Sequence, residues 1–109
     1  AQLVPACRLR MKLAGREQLA VLKYYVYVLK SLKDSTLYVG LSEDPQRRLK
    51  EHNSGENTST SYRRPLKLIY YEAYLLKSDA AARENYLKTS MGKRVMKKQL
   101  RNFLNSQNK

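Results

Sequence analysis

Two tyrosine-rich segments, Tyr25-Val26-Tyr27 and Tyr38-Val39-Gly40, lie close together in the chain and constrain its fold more than any other feature. Side chains alternate between the two faces of a strand, so an antiparallel hairpin can collect the valines on one face and the tyrosines on the other. A register with Tyr27 opposite Tyr38 and a turn at Lys33-Asp34-Ser35 gives this separation. We predict a hairpin that buries the aliphatic face and displays the tyrosines beside Gly40, where a ligand can approach the backbone. The alternative is that the tyrosines serve only as good strand formers.

The rest of the chain predicts one more strand and three helices. Asp44 followed by Pro45 is typical of a helix start, and Ser54-Gly55 is typical of a helix end. The predicted strands span residues 23–29, 36–40 and 66–74. The first two predicted helices span residues 45–53 and 80–88, and Ser78-Asp79 caps the second. A third helix follows residues 90–92, and its apolar stripe consists of Val95, Met96, Leu100, Phe103 and Leu104. The order β-β-α-β-α-α describes an α+β fold, in which helices flank a three-stranded antiparallel sheet.

A length of 109 residues is typical of one domain. Residues 1–22 lack a clear period and strong caps, so we predict a flexible N-terminal extension there, with a short helix over Arg16–Leu22 as an alternative. The folded domain is predicted to span residues 23–105, and residues 106–109 are predicted to form a frayed polar tail.

The charge of the chain indicates a polyanionic partner. There are 22 Lys and Arg against 9 Asp and Glu, a net charge of +13, which favours nucleic acid. A membrane surface would require an amphipathic helix with bulky aromatic residues, yet the chain has one Phe and no Trp. No apolar run approaches the roughly 18 residues of a membrane span. The single cysteine, Cys7, forms no internal disulfide, which favours a reducing compartment. Together with the nucleic-acid partner that the charge favours, this predicts a cytoplasmic, nucleoid-associated protein.

Three side chains on the predicted helices suit phosphodiester cleavage. Arg48 and His52 are four residues apart and share a helix face, and Glu84 lies in the first turns of the next helix. Arginine binds phosphate oxygens, a carboxylate binds a hard divalent cation, and histidine or a phenolate can take a proton from water. Each residue also has an ordinary explanation. His52 can be a surface or packing residue, Glu84 can simply favour the N-terminus of its helix, and Arg48 can be one more phosphate contact.

These residues, in this order and spacing, resemble the motifs of the GIY-YIG nucleases, over about residues 24–104. The first motif of that family ends in a catalytic tyrosine, here Tyr27, and its second motif, Tyr-Ile-Gly, is similar to Tyr38-Val39-Gly40. The family arginine follows on the next helix, at Arg48, and several branches carry a histidine one turn later, at His52. The metal-binding glutamate corresponds to Glu84 in Ala-Arg-Glu-Asn-Tyr-Leu-Lys. The chain looks closest to the small, stand-alone members.

The resemblance implies a metal-dependent DNA endonuclease with weak sequence specificity, structure-selective or repair-related, with RNA left open as a substrate. It implies one Mg²⁺ or Mn²⁺ held by Glu84, a general base at Tyr27 assisted by His52, a phosphate clamp at Arg48, and Tyr38 to position the phosphate or the water. A tyrosine with an ordinary pKa near 10 needs a nearby cation to act at neutral pH. The predicted contacts with nucleic acid are Gly40, Arg47, Arg63, Arg64, Lys93, Arg94, Lys97, Lys98 and Arg101.

Three positions depart from the family pattern. Tyr25 replaces the usual glycine of the first motif, and Leu41 follows the second motif where repair-type relatives carry a lysine. Many members also carry an asparagine soon after the glutamate, whereas the segment here reads Val95-Met96-Lys97-Lys98. The missing asparagine favours a second reading, a nucleic-acid-binding module with little or no cleavage, in which the basic residues hold the backbone and the tyrosines stack on bases.

Overall fold

The structure of the protein is a computed structural model that describes residues 7–13, 16–55 and 61–106. It contains the predicted central sheet with helices packed on it. The elements in chain order are β1 (Cys7–Leu13), β2 (Arg16–Leu22), β3 (Tyr24–Ser31), β4 (Leu37–Ser42), α1 (Pro45–Asn53), a 3₁₀ turn (Ser61–Arg63), β5 (Leu66–Tyr74), α2 (Lys77–Leu87), α3 (Ser90–Gln99) and α4 (Arg101–Ser106). Strands β4, β3 and β5 form an antiparallel sheet in that order. The α+β class and the order β-β-α-β-α-α of the predicted domain are confirmed.

The hairpin of β3 and β4 has a different register from the predicted one. Tyr27 pairs with Gly40, and Tyr38 pairs with Leu29, so the predicted pairing of Tyr27 with Tyr38 is wrong. The difference is two residues, and a shift of two keeps every side chain on its face, whereas a shift of one would exchange the faces. The separation of valines from tyrosines therefore survives the change of register.

The loop between β3 and β4 lies further along the chain than predicted and forms its own hydrogen bonds. The hydroxyl of Ser31 accepts the backbone N–H groups of Lys33 and Asp34, at 3.1 and 3.2 Å. The Asp34 carboxylate accepts the backbone N–H and the hydroxyl of Thr36, at 3.1 and 2.7 Å. Ser35 takes a left-handed conformation, with a φ of 63°. These local bonds close the loop one residue further along on each side than predicted, which accounts for the two-residue shift.

Helices cover both faces of the sheet. The aliphatic face packs on α2 and α3, and the buried residues of the sheet and helices in this layer are Val26, Val28, Val39, Ala80, Leu87 and Met96. On the other face, Leu49 of α1 packs against the cluster that contains Tyr27. Tyr27 is only 1% exposed and Tyr25 is also buried, so the prediction that these phenols are displayed is wrong. The sequence showed the two faces but did not show that a helix closes the second one.

Helix α1 begins and ends where the sequence predicted. The Asp44 carboxylate accepts the backbone N–H of Arg47 at 3.1 Å, and Pro45 is the first helical residue. At the other end, the side-chain amide of Asn53 makes two hydrogen bonds with the backbone of Leu66, at 2.7 and 3.0 Å. Because Leu66 opens β5, these bonds attach the end of α1 to the sheet.

Three helix predictions need correction. Arg16–Leu22 is a strand paired with Cys7–Leu13 and not a short helix. Apolar and basic residues alternate in Cys7–Leu13, which is the period of a strand and was the missed signal. The second helix begins at Lys77, before its predicted start, so Glu84 lies near the end of this helix and not in its first turns. The C-terminal helix is interrupted at Leu100 (φ −97°, ψ 17°), so that it forms α3 and α4. None of the helices in the described part of the chain is long and apolar enough to cross a membrane.

The predicted division of the chain at residues 22 and 105 stays a prediction. Ser106 belongs to α4. The remainder of the predicted tail, residues 107–109, lies outside the described residues.

Candidate active site

The ring of Tyr27 lies across β4, one of the two outer strands of the three-stranded sheet. A Cβ atom at Gly40 would overlap the hydroxyl oxygen and Cζ of Tyr27, so the ring requires a glycine opposite it. The sequence indicated that the open backbone at Gly40 admits a ligand, but Tyr27 itself fills this space. A contact between Gly40 and nucleic acid stays a prediction. Because the ring crosses the outer strand, its hydroxyl points to the edge of the sheet, where side chains from both helical layers can approach it.

We expect Gly40→Ala to lower the free energy of unfolding by about 1–3 kcal/mol, because the added methyl group must displace the Tyr27 ring or the strand. Urea denaturation of the single and double variants measures this cost. In a Tyr27→Ala background, where the ring is absent, Gly40→Ala should cost much less. An equal cost in both backgrounds would contradict the ring contact as its cause.

His52, the only histidine of the chain, is completely buried beside Tyr27. Its Nε2 lies 3.3 Å from the Tyr27 hydroxyl oxygen, and its ring meets the ring of Tyr38 edge to face, with the centroids 4.9 Å apart. Burial, followed by the positive charge of Arg48, lowers the pKa of His52 below its ordinary value. The imidazole is therefore neutral at neutral pH and can accept a proton. This burial excludes the alternative of an ordinary surface histidine.

Arg48 connects this buried pair to solvent. Its guanidinium hydrogen-bonds the Tyr27 hydroxyl and forms an ion pair with Glu51, with Nη1 2.7 Å from Oε1. The side chain is 36% exposed, so part of the guanidinium remains open to an incoming phosphate. The neighbouring Arg47 reaches the same glutamate at 3.6 Å from a more exposed position. Sequence reasoning missed Glu51, although its i,i+3 and i,i+4 spacing from the two arginines is a recognisable signal.

The pKa of the Tyr27 hydroxyl is raised above 10. Burial is the largest cause of the increase, the hydrogen bond with Arg48 opposes it, and the charges of Tyr38 and Glu84 add to it. Arg48 alone therefore does not supply the field that a phenolate would need at neutral pH. Tyr27 carries its proton there and can donate it to the neutral imidazole of His52.

Glu84 approaches Tyr27 from the opposite helical layer. Its charge contributes to the raised pKa of Tyr27, and its Oε2 lies 3.1 Å from Nζ of Lys88. The carboxylate side chain is 18% exposed. Residues 7–13, 16–55 and 61–106 contain no group of three or more His, Cys, Asp or Glu arranged to hold a metal ion. Glu84 nevertheless fits a divalent cation, because Mg²⁺ commonly binds through one or two carboxylates, water and substrate phosphates.

A second carboxylate, Glu72 of β5, holds helix α2 in place. It accepts the hydroxyls of Tyr70 and Tyr74, both at 2.7 Å, and an ion pair from Arg83, whose Nε lies 3.0 Å from Oε1. Burial would raise the pKa of Glu72, but the hydrogen bonds from these three residues outweigh burial and lower it. Because Arg83 precedes Glu84, this cluster fixes the helical turn that carries the candidate metal ligand. Sequence reasoning missed it, although an acid among strand tyrosines was visible.

The predicted nucleic-acid contacts occupy several elements. Arg63 and Lys93 line a cavity beside Tyr38, together with Lys88, which sequence reasoning did not select. Arg64 donates from Nε to the carbonyl oxygen of Ser61 at 3.0 Å. The remaining residues on α3 and α4 are exposed: Arg94, Lys97, Lys98 and Arg101. Another missed residue is Tyr62, which is 81% exposed beside two arginines and is available to stack on a base.

Comparison with known proteins shows the family to which the chain belongs. A family model described as the GIY-YIG catalytic domain matches residues 23–99. The chain belongs to the GIY-YIG family. It is thereby a member of a nuclease superfamily whose domains act on nucleic acid and generally use divalent metal ions, and the resemblance seen in the sequence is confirmed.

Several bacterial relatives match this GIY-YIG chain over most of their own length. A UPF0213 protein of Staphylococcus saprophyticus is 38% identical over 76 residues, which cover 69% of the chain and 92% of that relative. A UPF0213 protein of Staphylococcus epidermidis is 41% identical over 68 residues, covering 62% of the chain and 82% of the relative. A UPF0213 protein of Lactiplantibacillus plantarum is 47% identical over 68 residues, which cover 60% of the chain and 66% of that relative. No solved structure matches the chain significantly.

Proposed function

We propose that the chain is a metal-dependent endonuclease that hydrolyses phosphodiester bonds in DNA, with Mg²⁺ or Mn²⁺ as its ion and with little sequence specificity. The observation that carries the proposal is the hydrogen-bonded group of Tyr27, His52 and Arg48, with the Glu84 carboxylate near the same hydroxyl. A carboxylate beside a phosphate-binding arginine repels the substrate unless a cation lies between them. Repair-related cutting on the bacterial nucleoid is part of the same proposal.

Each side chain has a distinct role in the proposed reaction. Arg48 binds a non-bridging oxygen of the scissile phosphate and offsets the charge that grows there, while Tyr38 borders the attacking water. A cation held by Glu84 would polarise the phosphoryl oxygen and stabilise the leaving oxygen. The oxygen of Tyr27 takes a proton from the attacking water as its own proton passes to Nε2 of His52. This direction follows from a protonated Tyr27 and a neutral His52.

A binding module with little or no cleavage is the second candidate. It is favoured by Lys88, whose Nζ lies 3.1 Å from Oε2 of Glu84 and can neutralise that carboxylate without a metal ion. Nicking of supercoiled plasmid in Mg²⁺ separates the two functions. Nicking that EDTA abolishes, and that an identically purified Glu84→Gln variant lacks, supports the nuclease. Full retention of DNA binding without any nicking supports the module.

The proton relay predicts how the cleavage rate depends on pH. Only neutral His52 can accept the proton, so the rate should fall as pH drops through the pKa of His52, which lies below 6.5. Single-turnover rates between about pH 5 and 8 should show a plateau near neutral pH and an acid limb below it. His52→Gln should remove that limb and lower the plateau by about 10²-fold. An acid limb unchanged in His52→Gln would show that another group accepts the proton.

We also expect binding to depend strongly on salt and only weakly on sequence. Each phosphate neutralised on duplex DNA lowers log K by about 0.9 per log unit of salt, because bound counterions are released. Fluorescence anisotropy at several salt concentrations measures this slope. Neutralising four exposed residues of α3 together should flatten it: Lys93, Arg94, Lys97 and Lys98. A flat response in the unmutated protein would indicate that the phosphate backbone is not the main contact.

A further inference from the structure

A cavity of about 300 Å³ opens along β4, on the side of the sheet that carries α2 and α3. Its apolar wall is formed by aliphatic side chains, Leu37 and Val39 from the strand, Leu87 from α2 and Met96 from α3. Val39, Leu87 and Met96 are buried, so this wall belongs to the packed core. The volume lies at the lower end of the range for small-ligand sites, which suits one flat group and excludes a duplex.

Three cations surround this apolar wall, and they come from three different elements. Arg63 belongs to the 3₁₀ turn, Lys88 follows α2, and Lys93 lies on α3. An apolar wall with a cationic rim matches a nucleotide, which joins a flat, weakly polar base to a phosphate anion. Lys88 already pairs with Glu84, and a purely apolar ligand would make no use of the charges on Arg63 and Lys93.

The wall that carries Arg63 is held by two hydrogen bonds to the end of β3. The hydroxyl of Ser31, which is completely buried, donates to the carbonyl oxygen of Arg63 at 2.6 Å. The backbone N–H of Leu32 donates to the carbonyl oxygen of Pro65 at 2.9 Å. These bonds join the segment before β5 to the end of β3, so the cavity is formed before any ligand arrives.

The cavity adjoins the candidate active site. Tyr38 lines it and also contacts His52, and Lys88 lines it and also pairs with Glu84. We propose that the cavity receives one unpaired base of the nucleic acid, so that the neighbouring site cuts next to an extrahelical or unpaired nucleotide. The inference rests on the proposed function and gives it a substrate class. A paired base cannot enter a concave pocket, so selection for unpaired structure needs no sequence readout.

Binding in EDTA, where no cleavage occurs, tests the pocket apart from catalysis. Fluorescence anisotropy would compare a short paired duplex, the same duplex with one extrahelical thymidine, and the same bulge with an abasic residue. We expect the thymidine bulge to bind about tenfold more tightly than the other two, because one base is transferred into the cavity. Equal affinities would overturn the proposal. Tight binding of the abasic bulge would also overturn it, because flexibility of the DNA would then be what the protein recognises.

Two variants locate the preference in the cavity. Leu37→Trp fills it and should reduce the affinity for the thymidine bulge to that for the paired duplex, with folding checked by thermal melting. Lys93→Ala changes an exposed residue of the cavity lining and should reduce the preference for the thymidine bulge by severalfold. Lys97→Ala is the control, because it removes the same charge from the same helix outside the cavity lining. It should weaken the binding of all three ligands alike. An unchanged preference in folded Leu37→Trp and in Lys93→Ala would overturn the pocket. Plasmid nicking reports the nuclease separately, so either proposal can fail without the other.

Discussion

Replacing Glu84 with glutamine should reduce Mg²⁺-dependent cleavage by about 10³-fold or more, while DNA affinity stays the same or increases. Glutamine keeps the length of the side chain but removes the charge that a hard cation requires. It also releases Lys88 from its ion pair and removes a negative charge beside the phosphate, so binding should not weaken. Single-turnover cleavage with saturating enzyme, with affinity measured in Ca²⁺, separates the two effects.

Glu43→Gln provides the matched control for this experiment. It removes one carboxylate charge from an exposed residue outside α2 and should leave the metal dependence of cleavage as it is in the unmutated protein. Cleavage by Glu84→Gln at the unmutated rate would show that Glu84 does not hold the ion, and the role carried over from the family would then be wrong at this position.

Arg48→Ala should lower the single-turnover rate by two to three orders of magnitude and the affinity by much less. A guanidinium placed at the scissile phosphate acts on charge that appears only during the reaction, and one such donor contributes roughly 3–4 kcal/mol. In the ground state, the many other basic residues already attract the backbone. The hydrogen bond from Arg48 to Tyr27 strengthens the expectation, because its loss also disturbs the proposed proton relay.

Two companion variants interpret the Arg48 result. Arg47→Ala removes the same charge one position earlier, from a side chain that is 68% exposed, and should act mainly on affinity and on the salt slope. Arg48→Lys keeps the charge but loses the planar fork, so its rate should lie between those of the alanine variant and the unmutated protein. Equal losses of rate and affinity in Arg48→Ala would make it an ordinary phosphate contact and favour the binding module.

The buried state of Tyr27 and His52 changes how the site can work. An exposed tyrosine beside an arginine could ionise more easily, but the burial of Tyr27 raises its pKa despite the hydrogen bond from Arg48. Burial lowers the pKa of the adjacent His52. Tyr27 is therefore protonated and His52 is neutral before the substrate arrives, and the two shifts widen the pKa difference between them. In the proposed relay the phenol gives its proton to the imidazole only as it takes one from the attacking water, so no phenolate exists beforehand.

The opposite helical layer has its own structural requirement. Glu84 can face Tyr27 only if α2 keeps its rotation, and the ion pair between Glu72 and Arg83 joins that helix to β5 at the preceding residue. This arrangement explains how an acidic side chain is accommodated in the middle of a strand, where it is held by hydrogen bonds from two tyrosines.

Local patterns in the chain were sufficient to predict several parts of the fold. The period of two around Val26 and Val39 assigned the faces of the hairpin, Asp44 and Pro45 marked the start of α1, and alternation marked β5 over Leu66–Tyr74. These features depend on residues that are neighbours in the chain, so the sequence pattern predicts them without knowledge of the rest of the molecule. The five candidate site residues were selected in the same way, by order and spacing.

Contacts between distant residues decided the rest. The register of the hairpin depends on a loop closed by Ser31 and Asp34 and on a ring that needs Gly40 opposite it, and neither is visible in the alternation of the strands. The burial of Tyr27 and His52 depends on α1 covering the second face of the sheet. A strand pattern predicts which residues share a face of the sheet. The packing of the layers decides what covers that face, and it therefore decides the pKa values of the residues there and the cavities beside them.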